Sequence, residues 1–197
     1  MRCAAHVAAL RRYPDDEAEQ VTQALLREPL RVEERRGGWA LVVTAYDYAG
    51  WVRVESLEEG EGELPPPVDA EPLELAREYL GSPYEWGGLT AAGIDCSGLV
   101  HIAYRGAGRL VPRDSWEQEA AGEPVAPGEE RPGDLLSYGN RERADHVAFV
   151  LDEGWILHAT AREDLGVVEE PEPPELTARR RRIVRLPLLP SRTSDPR

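Results

Sequence analysis

The chain has 197 residues, enough for one domain or two small ones. With 41% apolar and 30% charged residues it reads as a soluble globular protein. The net charge of −14, with Arg as every one of its 23 basic residues, argues against nucleic acid, anionic membrane surfaces and anionic wall polymers as partners. A small soluble ligand suits that charge better.

No apolar run approaches the length of a transmembrane helix. The apolar start, Met1 to Leu10, turns charged at Arg11-Arg12 and lacks a secretory leader pattern, so a cytoplasmic location is expected. Cys3 and Cys96 do not suggest a disulfide framework, and a reducing compartment suits a free thiol.

Residues 1–58 read as a small barrel of about five short strands. Val7 to Arg11 is followed by a turn at Tyr13-Pro14-Asp15-Asp16. Glu19 to Leu26 fits a helix or a strand by pattern. Pro29 to Glu34 alternates, Arg36-Gly37-Gly38 is a hairpin signal, and Trp39 to Val43 is a strong strand. Tyr46 to Gly50 turns before Trp51-Val52-Arg53-Val54 alternates again. The segments G-G-W-A-L-V and Y-A-G-W-V resemble a bacterial SH3-like domain.

Residues 59–70, with an alternating Glu/Gly run and then Pro65-Pro66-Pro67, mark an exposed stiff linker. A second domain is expected over 71–189 and a loose tail over 190–197. Its first helix carries Pro72 in the opening turn, an apolar face of Leu73, Ala76 and Leu80, and Gly81 at its end. Gly- and Pro-rich sequence then leads to Asp95-Cys96-Ser97-Gly98, and an apolar run of helical length follows. Cys96 thus stands at a helix start, where free N–H groups and the helix dipole are expected to lower a thiol pKa from about 8.5. Pro112 to Gln118 opens another helix with Asp114 or Ser115 as cap. Residues 122–133 read as loop and Asp134 to Tyr138 as strand.

Val147 to Leu151 and Trp155 to Ala159 form a hairpin about Asp152-Glu153-Gly154. His146 and His158 flank it with the same parity, so both rings fall on one face. Gly166-Val167-Val168 suggests one more strand. Arg179 to Leu188 is expected as a final strand whose arginines guard a solvated sheet edge. His101 reads as a packing or surface residue.

A cysteine at a helix start and a histidine opening a strand fifty residues later form a nucleophile–base pair. The imidazole accepts the thiol proton, and a third polar group must aim it. His158 is the candidate. The N–H of Cys96 is placed to stabilise an oxyanion. The same three side chains are also a conceivable zinc set, but no Cys-x-x-Cys or His-Glu-x-x-His pair accompanies them. No cofactor is expected.

Y-E-W-G-G, G-I-D-C-S-G-L-V, P-R-D-S-W-E-Q, R-P-G-D-L-L, D-H-V-A-F-V and I-L-H-A occur in this order over residues 71–188. Together they resemble the NlpC-type family of bacterial cell-wall cysteine peptidases. The resemblance implies an α+β, papain-like second domain, with a helical part carrying Cys96 packed on an antiparallel sheet. It makes Cys96 the nucleophile, His146 the base and His158 the orienting residue. An SH3-like domain ahead of it resembles the subgroup that cuts γ-D-glutamyl–diamino acid bonds in stem peptides with a free N-terminal L-alanine. The positions matching that subgroup's substrate-binding residues are Tyr84, Asp95 and Ser115, with Glu28 in L-L-R-E-P-L and Tyr48 in Y-A-G-W. Arg27 stands where the subgroup often has Gly. A non-hydrolytic peptide-binding module and a thioester-based acyltransferase are the alternatives. Neither the preferred diamino acid nor the oligomeric state is legible.

Overall fold

The computed structural model describes residues 1–187; the expected tail and Leu188, the final residue of the expected last strand, lie outside them. The N-terminal part is built from β1 (Arg2–Cys3), β2 (Val7–Arg11), β3 (Gln20–Leu25), β4 (Leu30–Arg36), β5 (Trp39–Thr44), β6 (Ala49–Arg53) and β7 (Leu57–Glu58). The segment legible as helix or strand is the strand β3. Five strands form one antiparallel sheet in the order β3-β2-β6-β5-β4, and β1 pairs with β7. Alternating apolar residues supply its core, with Leu10, Ala24, Leu30, Val42 and Val52 around Cys3. Cys3 is a core residue whose thiol donates to the Ala5 carbonyl at 3.3 Å.

Residues 59–70 contain no helix or strand. Glu63 N–H bonds Arg27 O at 2.9 Å and Val68 N–H bonds Gly106 O at 2.8 Å, which ties the connection down at both ends.

The second part begins with α1 (Pro72–Arg77), shorter than its apolar pattern suggests. Pro72, Leu73, Leu75 and Ala76 are buried, whereas Leu80 lies beyond the helix and is 47% exposed. The small hairpin of β8 (Leu89–Thr90) and β9 (Gly93–Ile94) precedes α2 (Cys96–Gly106). Next come α3 (Ser115–Ala121), β10 (Glu123–Val125), β11 (Leu135–Gly139), β12 (Ala144–Val150), β13 (Trp155–Thr160), β14 (Gly166–Pro171), α4 (Pro174–Thr177) and β15 (Arg180–Arg185). The sheet is antiparallel in the order β10-β15-β11-β12-β13-β14.

Two expectations change here. The stretch read as loop contains β10, which pairs with β15 through Pro124↔Val184. In consequence β15 is an interior strand rather than an edge, and three of its four arginines are spent on carboxylates: Arg180 on Glu172, Arg181 on Glu119 and Arg185 on Asp134. The alternation along β15 buries Val184 and leaves the guanidinium groups at the surface.

α2 packs on one sheet face. Its Leu99, Val100, Ala103 and Tyr104 share a core with Leu135, Val147, Phe149, Leu157, Ala159 and Val167. Leu136, Tyr138, Ala148, Val150 and Ile156 face the other way, toward Leu176 of α4.

Candidate active site

Helix α2 starts at Cys96 because Asp95 caps it in an extended conformation, its Oδ1 accepting Gly98 N–H at 2.6 Å. Gly98 sits where any Cβ would come within 2.3 Å of the Gly88 carbonyl oxygen. Gly87 has φ of +74° and is backed by the Gln20 carbonyl, so both glycines let the loop close on the helix start.

Asp95 is fully engaged by protein donors. Its oxygens accept Gly98 N–H, Gly87 N–H at 2.7 Å and a two-pronged bond from Arg113 at 2.9 and 2.7 Å. Asp95 therefore caps and anchors, its acceptors taken up by protein donors rather than left for the substrate contact that the resemblance implied. Arg113, 1% exposed, also donates to Thr22 Oγ1 of β3 at 3.0 Å, which fixes the loop to the N-terminal sheet. Its motif was visible in the sequence, but its role was not.

His146 Nε2 lies 2.8 Å from His158 Nδ1, with the rings edge to face at 5.0 Å between centroids. The expected shared face is present, but the two are diagonal neighbours rather than opposite. The β12–β13 ladder pairs only Phe149↔Leu157 and Val150↔Ile156, and His146 stands beyond its end. The Cys96 thiol abuts the peptide N–H of Val147, which follows His146 in the chain, whereas the His146 ring packs beside Tyr138, which faces away from α2. Among the described residues its sulfur makes no hydrogen bond to either imidazole.

Cys96 is only 6% exposed. Burial, with the Asp95 carboxylate beside it, pushes its thiol up to about 12, reversing the acidity expected from the helix start. Here desolvation and a neighbouring anion outweigh the helix dipole. Burial, then His158 and Arg179, pull His146 down to about 3. The thiol and the imidazole both rest neutral.

An open cleft of about 180 Å³ reaches the sulfur. Asp95, Ser97, Ser115 and Trp116 line it from the second part, and Arg12, Glu19 and Tyr48 from the first. Tyr48 OH donates to the Asp114 carboxylate at 3.1 Å, and its phenol is held well above its ordinary pKa, first by burial and then by that charge. Asp114 thus occupies the cap position of α3 while its side chain serves Tyr48. Ser115 is buried at the first turn of α3 and donates to Ala144 O at 3.4 Å. Tyr84 is half-buried beside Cys96 but does not line the cleft; burial raises its phenol, and the Asp95 carboxylate adds to that.

Glu28 is displaced from the expected set. It is fully buried, accepts Leu25 N–H at 3.0 Å and pairs with Arg105 of α2 at 3.0 Å, away from the cleft. It is an interdomain ion pair rather than a ligand contact. Arg27 before it has φ of +66°, the conformation a glycine at that position would adopt without strain. His101 is wholly buried, its Nδ1–H donating to Val111 O at 2.8 Å under the Tyr46 ring. No group of three His, Cys, Asp or Glu residues able to hold a metal occurs among the described residues.

Residues 81–178 match the NlpC/P60 family and residues 10–57 the bacterial dipeptidyl-peptidase Sh3 domain. The gamma-D-glutamyl-L-lysine dipeptidyl-peptidase of Bacillus cereus is 29% identical over 118 residues, covering 57% of this chain and 35% of that protein. Peptidoglycan endopeptidase RipB of Mycobacterium tuberculosis is 39% identical over 101 residues, 45% of this chain and 42% of that protein. The chain thus spans less than half the length of these curated relatives. In structure, an NlpC/P60 family protein from Bacillus cereus shares the fold across 94% of this chain and 63% of its own, with a TM-score of 0.56 at 23% identity. RipB matches 59% of this chain and 63% of its own at 0.53 and 33% identity. RipD of Mycobacterium tuberculosis, described as a non-catalytic NlpC/p60 domain protein adapted to peptidoglycan binding, matches 59% of this chain and 95% of its own at 0.50 and 28% identity. With the papain-like arrangement already evident, the second domain of the chain belongs to the NlpC/P60 family, and it is preceded by a bacterial dipeptidyl-peptidase SH3 domain.

Proposed function

We propose that the protein is a cysteine peptidase that hydrolyses the γ-D-glutamyl–diamino acid bond of peptidoglycan stem peptides bearing a free N-terminal L-alanine. The observation that carries this is a cysteine at a helix start that opens onto a cleft walled by both domains and meets the backbone of β12, the strand that bears His146 of the linked His146–His158 pair. As the sulfur attacks the γ-carbonyl, His146 takes its proton, and the Cys96 N–H at the free end of α2 meets the developing oxyanion. The C–N bond then breaks, His146 returns the proton to the leaving amine, and water hydrolyses the thioester. Because the resting thiol and imidazole are both neutral, proton transfer accompanies attack rather than preceding it.

The SH3-like domain supports the preference for short free peptides, since Arg12, Glu19 and Tyr48 close one side of the cleft. The Asp114 carboxylate, held by Tyr48, offers an acceptor for a peptide ammonium. The proposed compartment is the cytoplasm, which keeps a thiol nucleophile reduced.

The test is mass spectrometry of L-Ala-γ-D-Glu-L-Lys and its diaminopimelate analogue incubated with the protein. Release of L-Ala-D-Glu by the wild type and its loss in Cys96→Ala is the expected outcome. Absence of the dipeptide, or undiminished release by Cys96→Ala, contradicts the proposal. The burial and raised pKa of Cys96 favour a second reading, a non-hydrolytic peptide-binding module. Saturable binding of the intact tripeptide without turnover identifies that case.

A further inference from the structure

Glu170 has no part in the chemistry above, yet it is joined to it. It lies on β14 opposite Ile156, two residues along from the position that faces His158 of β13, and its Oε1 is 2.9 Å from His158 Nε2. A carboxylate only accepts, so His158 carries its proton on Nε2 and leaves Nδ1 as a lone pair. That lone pair faces His146 Nε2 at 2.8 Å and can only accept, so His146 carries its proton on Nε2 as well. The remaining nitrogen of His146, Nδ1, is then the free base. The opposite tautomer of His158 reverses the bond, puts the His146 proton on Nδ1 and removes the base.

We propose that Glu170 is a positioning residue that holds His146 in its Nδ1-basic tautomer, acting through His158. Arg162 fixes the carboxylate: its Nη2 bonds both oxygens of Glu170, Oε1 at 2.6 Å, and its Nη1 bonds Glu175 at 3.0 Å. The other groups facing the rings are Tyr138 of β11, 5.7 Å from His146 between centroids, and Arg179 ahead of β15. Burial pulls His146 down to about 3 and also lowers His158, there against the opposing pull of Glu170, so at alkaline pH the tautomer is the variable left to set. His146, His158 and Glu170 recur at equal spacing on successive strands, which is how two hairpins place them in one row.

The kinetic consequence rests on the peptidase proposal, whereas the tautomers do not. In the 15N-histidine NMR spectrum at about pH 8, above the ordinary imidazole range, both rings are expected protonated on Nε2 and bare on Nδ1. In Glu170→Ala the His158 proton spreads over both nitrogens, and kcat for the tripeptide falls about 10- to 100-fold with KM unchanged. Glu170→Leu removes the acceptor at similar side-chain volume and serves if the alanine variant does not fold. A wild-type His158 protonated on Nδ1, or a folded variant with wild-type tautomers and kcat, overturns the proposal. The wild-type spectrum requires neither substrate nor variant, so it tests the tautomers whether or not the peptide is cleaved.

Discussion

Glu28 illustrates how a residue's role depends on what the fold brings to it. The family resemblance made it a substrate-binding residue, but Arg105, remote in the chain, arrives from α2 and pairs with it in the interior. Breaking such a buried pair costs about 3–5 kcal/mol. Glu28→Ala is therefore expected to lower the urea midpoint sharply while leaving KM for the tripeptide unchanged; a raised KM at unaltered stability contradicts the assignment. Arg27→Gly relieves a left-handed backbone and is expected to stabilise the protein by about 1 kcal/mol. At this scale the two histidines were legible because a period of two and a short turn suffice to align them. Glu170 was not, since it sits in the acidic run Glu169-Glu170-Pro171-Glu172, which reads as solvated surface. The thiol's acidity was misjudged because its burial and the Asp95 charge are properties of packing, not of helix position.

At the scale of elements, α2 is positioned by its cap and by glycines that allow close backbone approach. In Gly98→Ala the new methyl would strike the Gly88 carbonyl, so the loop bearing Cys96 must move. The expected result is at least a ~100-fold loss of kcat, as a misplacement of about 1 Å at the reacting groups costs. Wild-type kcat in that variant would show that the loop tolerates displacement. β15 gives the converse lesson. Its run of arginines looked like edge protection, whereas its partners, β10 and β11, were hidden: one in a Gly- and Pro-rich stretch, the other far away in sequence. Strand identity was legible from alternation; strand neighbours were not.

For the whole molecule, the two domains are joined by polar contacts around β3 and the Cys96 loop. Gln23 Oε1 accepts Leu89 N–H at 2.9 Å, Gln20 Nε2 donates to Trp86 O at 2.9 Å, and Trp86 Nε1 donates to Glu19 at 2.9 Å. The domain order was plain from composition, but this interface was not, because its contacts use ordinary Gln, Thr and Trp residues. Stability should follow pH through the buried histidines. Burial holds His101 and His146 down at about 3 and also lowers His158. The unfolded chain, with imidazoles near about 6.5, binds more protons below that value. Stability is thus complete above about pH 6.5 and declines as pH falls toward about 3. On the alkaline side, Cys96, raised to about 12, contributes stability that is lost as pH climbs from about 9. Urea midpoints at acid, neutral and alkaline pH check both limbs; a midpoint constant from neutrality down to about pH 4 contradicts the buried neutral histidines.

The central claim is that Cys96 carries the acyl group during turnover. Rapid acid quenching of the wild type with L-Ala-γ-D-Glu-L-Lys, followed by peptide mass spectrometry, addresses it directly. The account predicts an L-Ala-γ-D-Glu adduct on the peptide containing Cys96. Products accumulating while Cys96 stays unmodified, with the adduct absent or on another residue, would contradict it.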